Sequence, residues 1–184
     1  PLVGIFVSVA WYASEIAERS RLARNAVAFG AAIIVVAAAI SARIETGYWR
    51  DTLSLFRHAA EVRPDSWLAW KNLGAEQFLR GDLEGAAQSF ASALKNRPND
   101  PDLWFNLGLA HGNAGRAAES RACLERAVML DPDDQEAWFN LGIAYAMERS
   151  PDRVMGVAAH LRRSNAAKAQ ELVRRAAELE DRGR

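Results

Sequence analysis

Apolar positions follow two different patterns along this chain. Before about residue 48 they form continuous runs, and after it they recur at spacings of three and four, the period of an amphipathic α-helix. In the second part, the motif Trp-x-Asn-Leu-Gly occurs three times at equal intervals, starting at Trp70, Trp104 and Trp138. A fixed period of this length predicts stacked helix–turn–helix units that build an extended surface.

Each unit is predicted to be a pair of antiparallel helices. In the first unit, Trp70 lies on the first helix and Phe90 on the second, and Gly81 ends the first helix in the left-handed conformation that glycine adopts without strain. The pattern predicts half a repeat at 48–64 and full repeats at 67–100, 101–134 and 135–181.

The third repeat departs from the pattern after Tyr145. Arg149 stands where the earlier repeats have their turn glycine, and Ser150 with Pro151 restarts a helix. We therefore predict an insertion near 149–164, followed by a C-terminal capping helix from 165 to about 181. The charged face of that helix suits the end of an array, which must be polar outside.

Two uncharged stretches precede the repeats, at residues 1–14 and 26–42. With Arg43 and Ile44, the second gives a helix of roughly 28 Å, close to the ~30 Å thickness of the bilayer hydrocarbon. A helix that is apolar all round lies either in lipid or deep in a protein core. We predict a membrane region at 1–47, with spans at about 1–14 (cut by the start of the sequence) and 26–44. The alternative is a buried helix of a soluble protein.

Composition excludes several classes of function. The formal net charge of the 184 residues is zero, so nothing indicates a nucleic-acid partner. Cys123 is the only cysteine, and the three histidines have no metal-ligand spacing. No phosphate loop, nucleophile motif or dinucleotide fingerprint is present. We therefore predict no catalytic residue, no metal site and no cofactor in this fragment, and hence no enzyme activity of its own.

The repeat motifs identify the chain as a member of the tetratricopeptide repeat family. The expected fold class is all-α, with two N-terminal hydrophobic (transmembrane) helices followed by a superhelix of tetratricopeptide hairpins. Gln77 and His111 replace the tyrosine that the third repeat keeps at Tyr145, so the family pattern is incomplete.

The order of elements also resembles the C-terminal part of multi-spanning membrane proteins related to O-mannosyltransferases and other lipid-linked-sugar glycosyltransferases. That resemblance implies an integral membrane protein, in the inner membrane if bacterial, with the repeats in the periplasm. It also places the catalytic carboxylates upstream of this fragment. Charge leaves the orientation undecided, since three arginines lie on each flank of the second apolar stretch.

In this family the first helices of the repeats line a concave groove. The resemblance therefore implies a peptide-binding groove formed by Lys71, Asn72, Phe105, Asn106, Leu109, Phe139, Asn140 and Ile143. The asparagines, one repeat apart, can pair with a peptide backbone without reading its sequence. The alternative is that Asn-Leu-Gly is only the family consensus at this place.

Phe105 and Phe139 favour an apolar or extended-peptide ligand if they face the groove. The alternative is contact with the 149–164 segment. Lys71 is the only cation among the predicted groove positions, which argues against a clamp for a terminal carboxylate.

We interpret the chain as a membrane-anchored module that binds a protein or peptide, with the lipid bilayer as a second partner. Two alternatives stay open. The repeats would present acceptor proteins to a glycosyltransferase encoded upstream, or they would act as a structural scaffold for an envelope complex.

Overall fold

The computed structural model describes residue 11, residues 21–48 and residues 51–182. Over these residues every regular element is an α-helix, which confirms the all-α prediction. The chain divides into two compact units, Pro1–Arg50 and Asp51–Arg184. The first predicted span, 1–14, lies outside the described residues except for Trp11, which is helical and exposed.

The described part of the first unit is one helix, α1, at Arg21–Tyr48. Within it, the 18 residues Arg24–Ser41 are long and apolar enough to cross a membrane, and none of that window is buried. Phe29 is 72% exposed, and Ile34 and Val35 are 69% and 66% exposed. One helix of this kind is found in the described residues, where the sequence predicted two.

In the second unit, residues 51–182 form a row of eight helices, each packed against the next. They are α2 at Thr52–Val62, α3 at Trp67–Leu79, α4 at Leu83–Asn96, α5 at Pro101–Asn113, α6 at Ala117–Leu130, α7 at Gln135–Met147, α8 at Pro151–Ser164 and α9 at Ala166–Arg182. The short turns between them give antiparallel neighbours.

Aspartates before the helices explain where several of them begin. The side chains of Asp82, Asp100 and Asp134 accept hydrogen bonds from backbone amides in the first turns of α4, α5 and α7. Proline is the first residue of both α5 and α8, where its missing N–H costs nothing.

One tryptophan in each repeat ties the repeat to the preceding loop. The indole Nε1 atoms of Trp70, Trp104 and Trp138 donate to a proline carbonyl six residues earlier, at 2.9, 2.8 and 2.9 Å. The rings also pack against the buried core. These residues therefore hold successive hairpins together.

A glycine on each first helix lets a large side chain approach closely. A Cβ on Gly74 would lie 2.9 Å from the Phe90 ring, and a Cβ on Gly108 would lie 2.7 Å from Leu124 Cγ. In the third repeat, a Cβ on Gly142 would lie 2.5 Å from Leu172. Phe90 and Leu124 are on the second helix of their own repeat, whereas Leu172 is on α9.

Residues 149–164 are not an insertion, which corrects the sequence-based boundary. The helices α6 and α8 cover 117–130 and 151–164, so both ends of α8 follow those of α6 by the same interval that separates Trp104 from Trp138. This makes α8 the second helix of the third repeat. Arg149 takes the turn position with a φ of 56°, compared with 80° at Gly81 and 77° at Gly115. The helix that follows, α9, packs against both α7 and α8.

Helix α8 lacks the large side chain that its counterparts place beside the glycine of the first helix. Ala158 occupies the position of Phe90 and Leu124 and is fully buried. Leu172, also fully buried, fills the space that Ala158 leaves beside Gly142. The third repeat therefore keeps its backbone register and takes one core side chain from α9.

Candidate functional site

The predicted groove residues lie on the first helices of the three repeats. Lys71 and Asn72 are on α3, Phe105, Asn106 and Leu109 are on α5, and Phe139, Asn140 and Ile143 are on α7. All eight are half-buried, so each has both a packing side and a solvent side.

Four of these residues line one cleft of about 210 Å³, which opens between α5, α7 and α9. They are Leu109, Phe139, Asn140 and Ile143. The cleft is also lined by Met147 at the end of α7, by Asn113 and by the backbone of Gly108 and Gly112. Its surface is formed about equally by apolar side chains and by polar groups, and its amide groups can hydrogen-bond an extended chain.

The other four predicted residues do not line this cleft. Lys71 Nζ is 3.5 Å from Asp102 on the next first helix and 6.0 Å from the centre of the Trp67 ring. Phe105 packs against the buried cluster that joins α6 to α7. Asn72 and Asn106 lie along the same line of helices, outside the cleft.

Two asparagines of the predicted row bond to their own helices. The Nδ2 atoms of Asn106 and Asn140 donate to the carbonyl oxygens of Asp102 and Glu136, both at 2.8 Å. This leaves each side-chain oxygen as an acceptor for another group. Asn106 and Asn140 are therefore held in place by their own helices, with their side-chain oxygens available as acceptors.

Arg175 of α9 forms the one charged part of the cleft wall among the residues described. Its guanidinium carbon is 5.8 Å from the centre of the Phe139 ring, and its Nε donates to Glu171 at 2.9 Å. Hydrogen bonds from Arg174 and then Arg175 lower the pKa of Glu171 to about 2. The pair beside the cleft therefore stays ionised at neutral pH.

The other titratable groups described in the array do not line the cleft. Burial raises the pKa of the Cys123 thiol to about 11, so this cysteine is not a reactive thiolate at neutral pH. Burial, followed by the charge of Arg116, lowers the pKa of His111. In the described residues, no group of three or more His, Cys, Asp or Glu side chains is arranged to hold a metal ion.

Sequence reasoning missed Met147, Asn113 and Arg175. Asn113 and Met147 occupy equivalent positions in successive repeats and follow Leu109 and Ile143 by one helical turn, so the repeat period could have found them. Arg175 had no such signal, because α9 begins less than one full repeat after α7 and is outside the period.

Two sequence models of the tetratricopeptide repeat family match the chain, one over residues 37–101 and the other over residues 77–142. Together they cover the half repeat, the first two repeats and the start of the third. The chain is a tetratricopeptide repeat protein, as the repeat motifs predicted.

Solved structures show the same fold at low sequence identity. A crystal structure of the MamA protein has a TM-score of 0.60 and 18% identity, covering 69% of each chain. The YrrB structure, described as a tetratricopeptide protein with an unusual peptide-binding site, has a TM-score of 0.58 and 21% identity, covering 70% of this chain and 76% of that one.

A third structure is the first tetratricopeptide domain of Spaghetti (RPAP3), bound to the HSP90 peptide SRMEEVD. It has a TM-score of 0.56 and 18% identity, covering 61% of this chain and 90% of that one. No curated protein matches the sequence. The resemblance to membrane glycosyltransferase tails stays a prediction.

Proposed function

We propose that the unit Asp51–Arg184 is a protein-interaction module that binds an extended segment of a partner across α5, α7 and α9. The observation that carries this proposal is the open cleft of about 210 Å³ with Leu109, Ile143 and Met147 on its walls. When a ligand covers half-buried apolar side chains, each Å² of apolar surface removed from water favours binding by about 25 cal/mol.

The hydrogen-bonding groups around the cleft suit a peptide backbone. Asn140 offers a side-chain oxygen, and Asn113, whose Nδ2 donates to the Leu109 carbonyl at 2.9 Å, offers another. A peptide's N–H groups can donate to both without reference to its sequence. Peptide complexes of proteins with this fold, such as the Spaghetti domain with its HSP90 peptide, support the same use of the fold here.

The proposal is tested by selecting peptides from a phage-displayed random library on the full chain in detergent micelles. Affinities of the selected peptides are then measured by fluorescence anisotropy. Leu109→Arg places a charge in the cleft and should weaken binding by at least about tenfold, because a buried charge without a partner is costly. Leu109 is half-buried and does not pack in the buried core between the helices, so the fold should survive.

Met129→Arg is the matched control. Met129 is an apolar residue of α6 that is 66% exposed and does not line the cleft. It should leave the affinity unchanged. Equal affinity of the selected peptides for the original chain and for Leu109→Arg, with unchanged circular dichroism, would refute binding in this cleft.

We also propose that α1 anchors the module in a lipid bilayer. The apolar window Arg24–Ser41, none of which is buried in the chain, supports a span. The resemblance to membrane glycosyltransferase tails supports repeats in the periplasm. Protease added to spheroplasts should then degrade the repeats, with a cytoplasmic protein as the control. Protected repeats in intact spheroplasts that become sensitive after lysis would refute this orientation.

A further inference from the structure

The size of the cleft points to a single bulky side chain as its occupant. A cavity of about 150 Å³ lined by apolar residues holds a benzene molecule, and the cleft here is about 210 Å³. It therefore has room for the side chain of Leu, Met or Phe. The backbone of Gly108 and Gly112 forms part of the lining and adds no side chain that would fill this space.

Charges along the first helices are neutralised within the chain. Lys71 lies 3.5 Å from Asp102, and Lys168 of α9 bonds to Glu136 of α7. Arg175, on the cleft wall, is paired with Glu171 and lies against the Phe139 ring. The side chains of Arg175 and Glu171 are 56% and 36% exposed. An acidic ligand side chain that reached Arg175 would therefore form an ion pair in contact with water, and such pairs contribute at most about 1 kcal/mol.

From these two observations we infer that the cleft selects a bulky apolar side chain from an uncharged stretch of an extended segment. The inference rests on the proposed function, since it names the class of segment that the same cleft takes. Recognition depends on shape and apolar burial, and charge contributes little. Two consequences follow: one apolar residue carries most of the affinity, and salt has little effect on binding.

The experiment uses synthetic copies of the library-selected peptides whose binding is lost in Leu109→Arg. Each residue of each peptide is replaced by alanine in turn. One apolar position should stand out, with an affinity loss of about 10- to 100-fold on replacement. Replacing acidic residues by their amides should change the affinity less than about threefold, as should raising NaCl from about 50 to about 500 mM.

A pair of chain variants places the anchor in this cleft. Met147→Lys should weaken the same peptides by about tenfold or more, because it replaces one of the apolar side chains of the lining by an ammonium group. Met129→Lys makes the same exchange near the end of α6, at a residue that is 66% exposed, and should leave the affinity unchanged.

The outcomes separate this inference from the proposed function. Peptides that are lost in Leu109→Arg, tolerate alanine at every apolar position and weaken more than tenfold in salt would overturn the apolar anchor and leave groove binding intact. If the selected peptides bound Leu109→Arg as tightly as the original chain, the proposed function would be overturned instead. Selected peptides with one dominant apolar position and salt-independent affinity would support both.

Discussion

Leu172 should contribute more to the stability of the third repeat than its place on the terminal helix indicates. It is fully buried, and its side chain lies 2.5 Å from where a Cβ on Gly142 would be. Phe90 and Leu124 make the corresponding contact in the earlier repeats. Ala158, at the matching position of α8, is too small to fill that space. Leu172→Ala should therefore leave a cavity that no neighbour in the chain is placed to occupy.

The expected cost follows from buried leucines in other proteins. Replacing a buried leucine by alanine lowers the free energy of unfolding by about 2–5 kcal/mol, depending on how far the site collapses. We expect about 3 kcal/mol for Leu172→Ala, because α9 is held on two sides by α7 and α8. Leu79→Ala is the control, since Leu79 is 80% exposed and its loss should cost less than about 0.5 kcal/mol.

A double substitution tests whether the two side chains share one space. Ala158→Leu alone should cost about 1–3 kcal/mol, because it adds volume to a site that Leu172 already fills. Combined with Leu172→Ala, it restores the arrangement of the first two repeats. The double variant should be more stable than the sum of the two single costs predicts by about 1 kcal/mol or more.

Urea unfolding of the full chain in micelles, followed by tryptophan fluorescence, gives the free energies. Amide hydrogen exchange of Ala166–Arg182 shows whether α9 opens before the rest, since arrays of repeats can unfold from an end. Costs that simply add in the double variant would refute the shared space. So would a Leu172→Ala cost no larger than that of Leu79→Ala.

Three further predictions concern single positions. Gly142→Ala should lower the free energy of unfolding by more than about 1 kcal/mol, because its Cβ would lie 2.5 Å from a buried leucine. Gly156→Ala, whose Cβ would have no described atom within 4 Å, should raise it by about 0.5–1 kcal/mol in thermal or urea unfolding. Arg116→Asn should stabilise by about 0.5 kcal/mol in the same assays. Arg116 gives α6 no side-chain cap, whereas Asp82 caps α4 from the matching position, and a new cap contributes about 1 kcal/mol. The exposed ion pair of Arg116 with Glu84, which the substitution removes, contributes less than that. Because the pKa of His111 is lowered in the folded chain, the unfolded chain binds the proton first as the pH falls, so stability should decrease below about pH 6.5. His111→Gln should reduce this decrease, measured as the difference in unfolding free energy between about pH 7 and about pH 5.

Repetition made most of the fold predictable from the sequence. The tryptophans, the helix caps and the turn glycines recur at one period, so each repeat supported the reading of the others. The third repeat was misread because two local signals failed together. Arg149 replaced a turn glycine and Ala158 replaced a large core residue, yet the backbone kept its register because Arg149 adopts the left-handed conformation itself.

Within the candidate site, only the residues that recur at the repeat spacing could be predicted from the sequence. Leu109, Phe139 and Ile143 were identified because a repeat places equivalent residues on equivalent faces of the first helices. Arg175 could not be identified in this way. It belongs to a helix that starts outside the period, and its distance from Phe139 depends on how α9 packs in three dimensions.

The packing of α9 links the stability of the array to the shape of its cleft. Leu172 and Arg175 are three residues apart, so they lie on neighbouring parts of one helical face. The Leu172 side chain is buried against Gly142 of α7, and Arg175 forms part of the cleft wall against Phe139. Because one helix carries both, the contact that fills the core of the third repeat also positions Arg175 at the cleft. The residue that substitutes for the missing side chain of α8 is therefore a structural condition for the site.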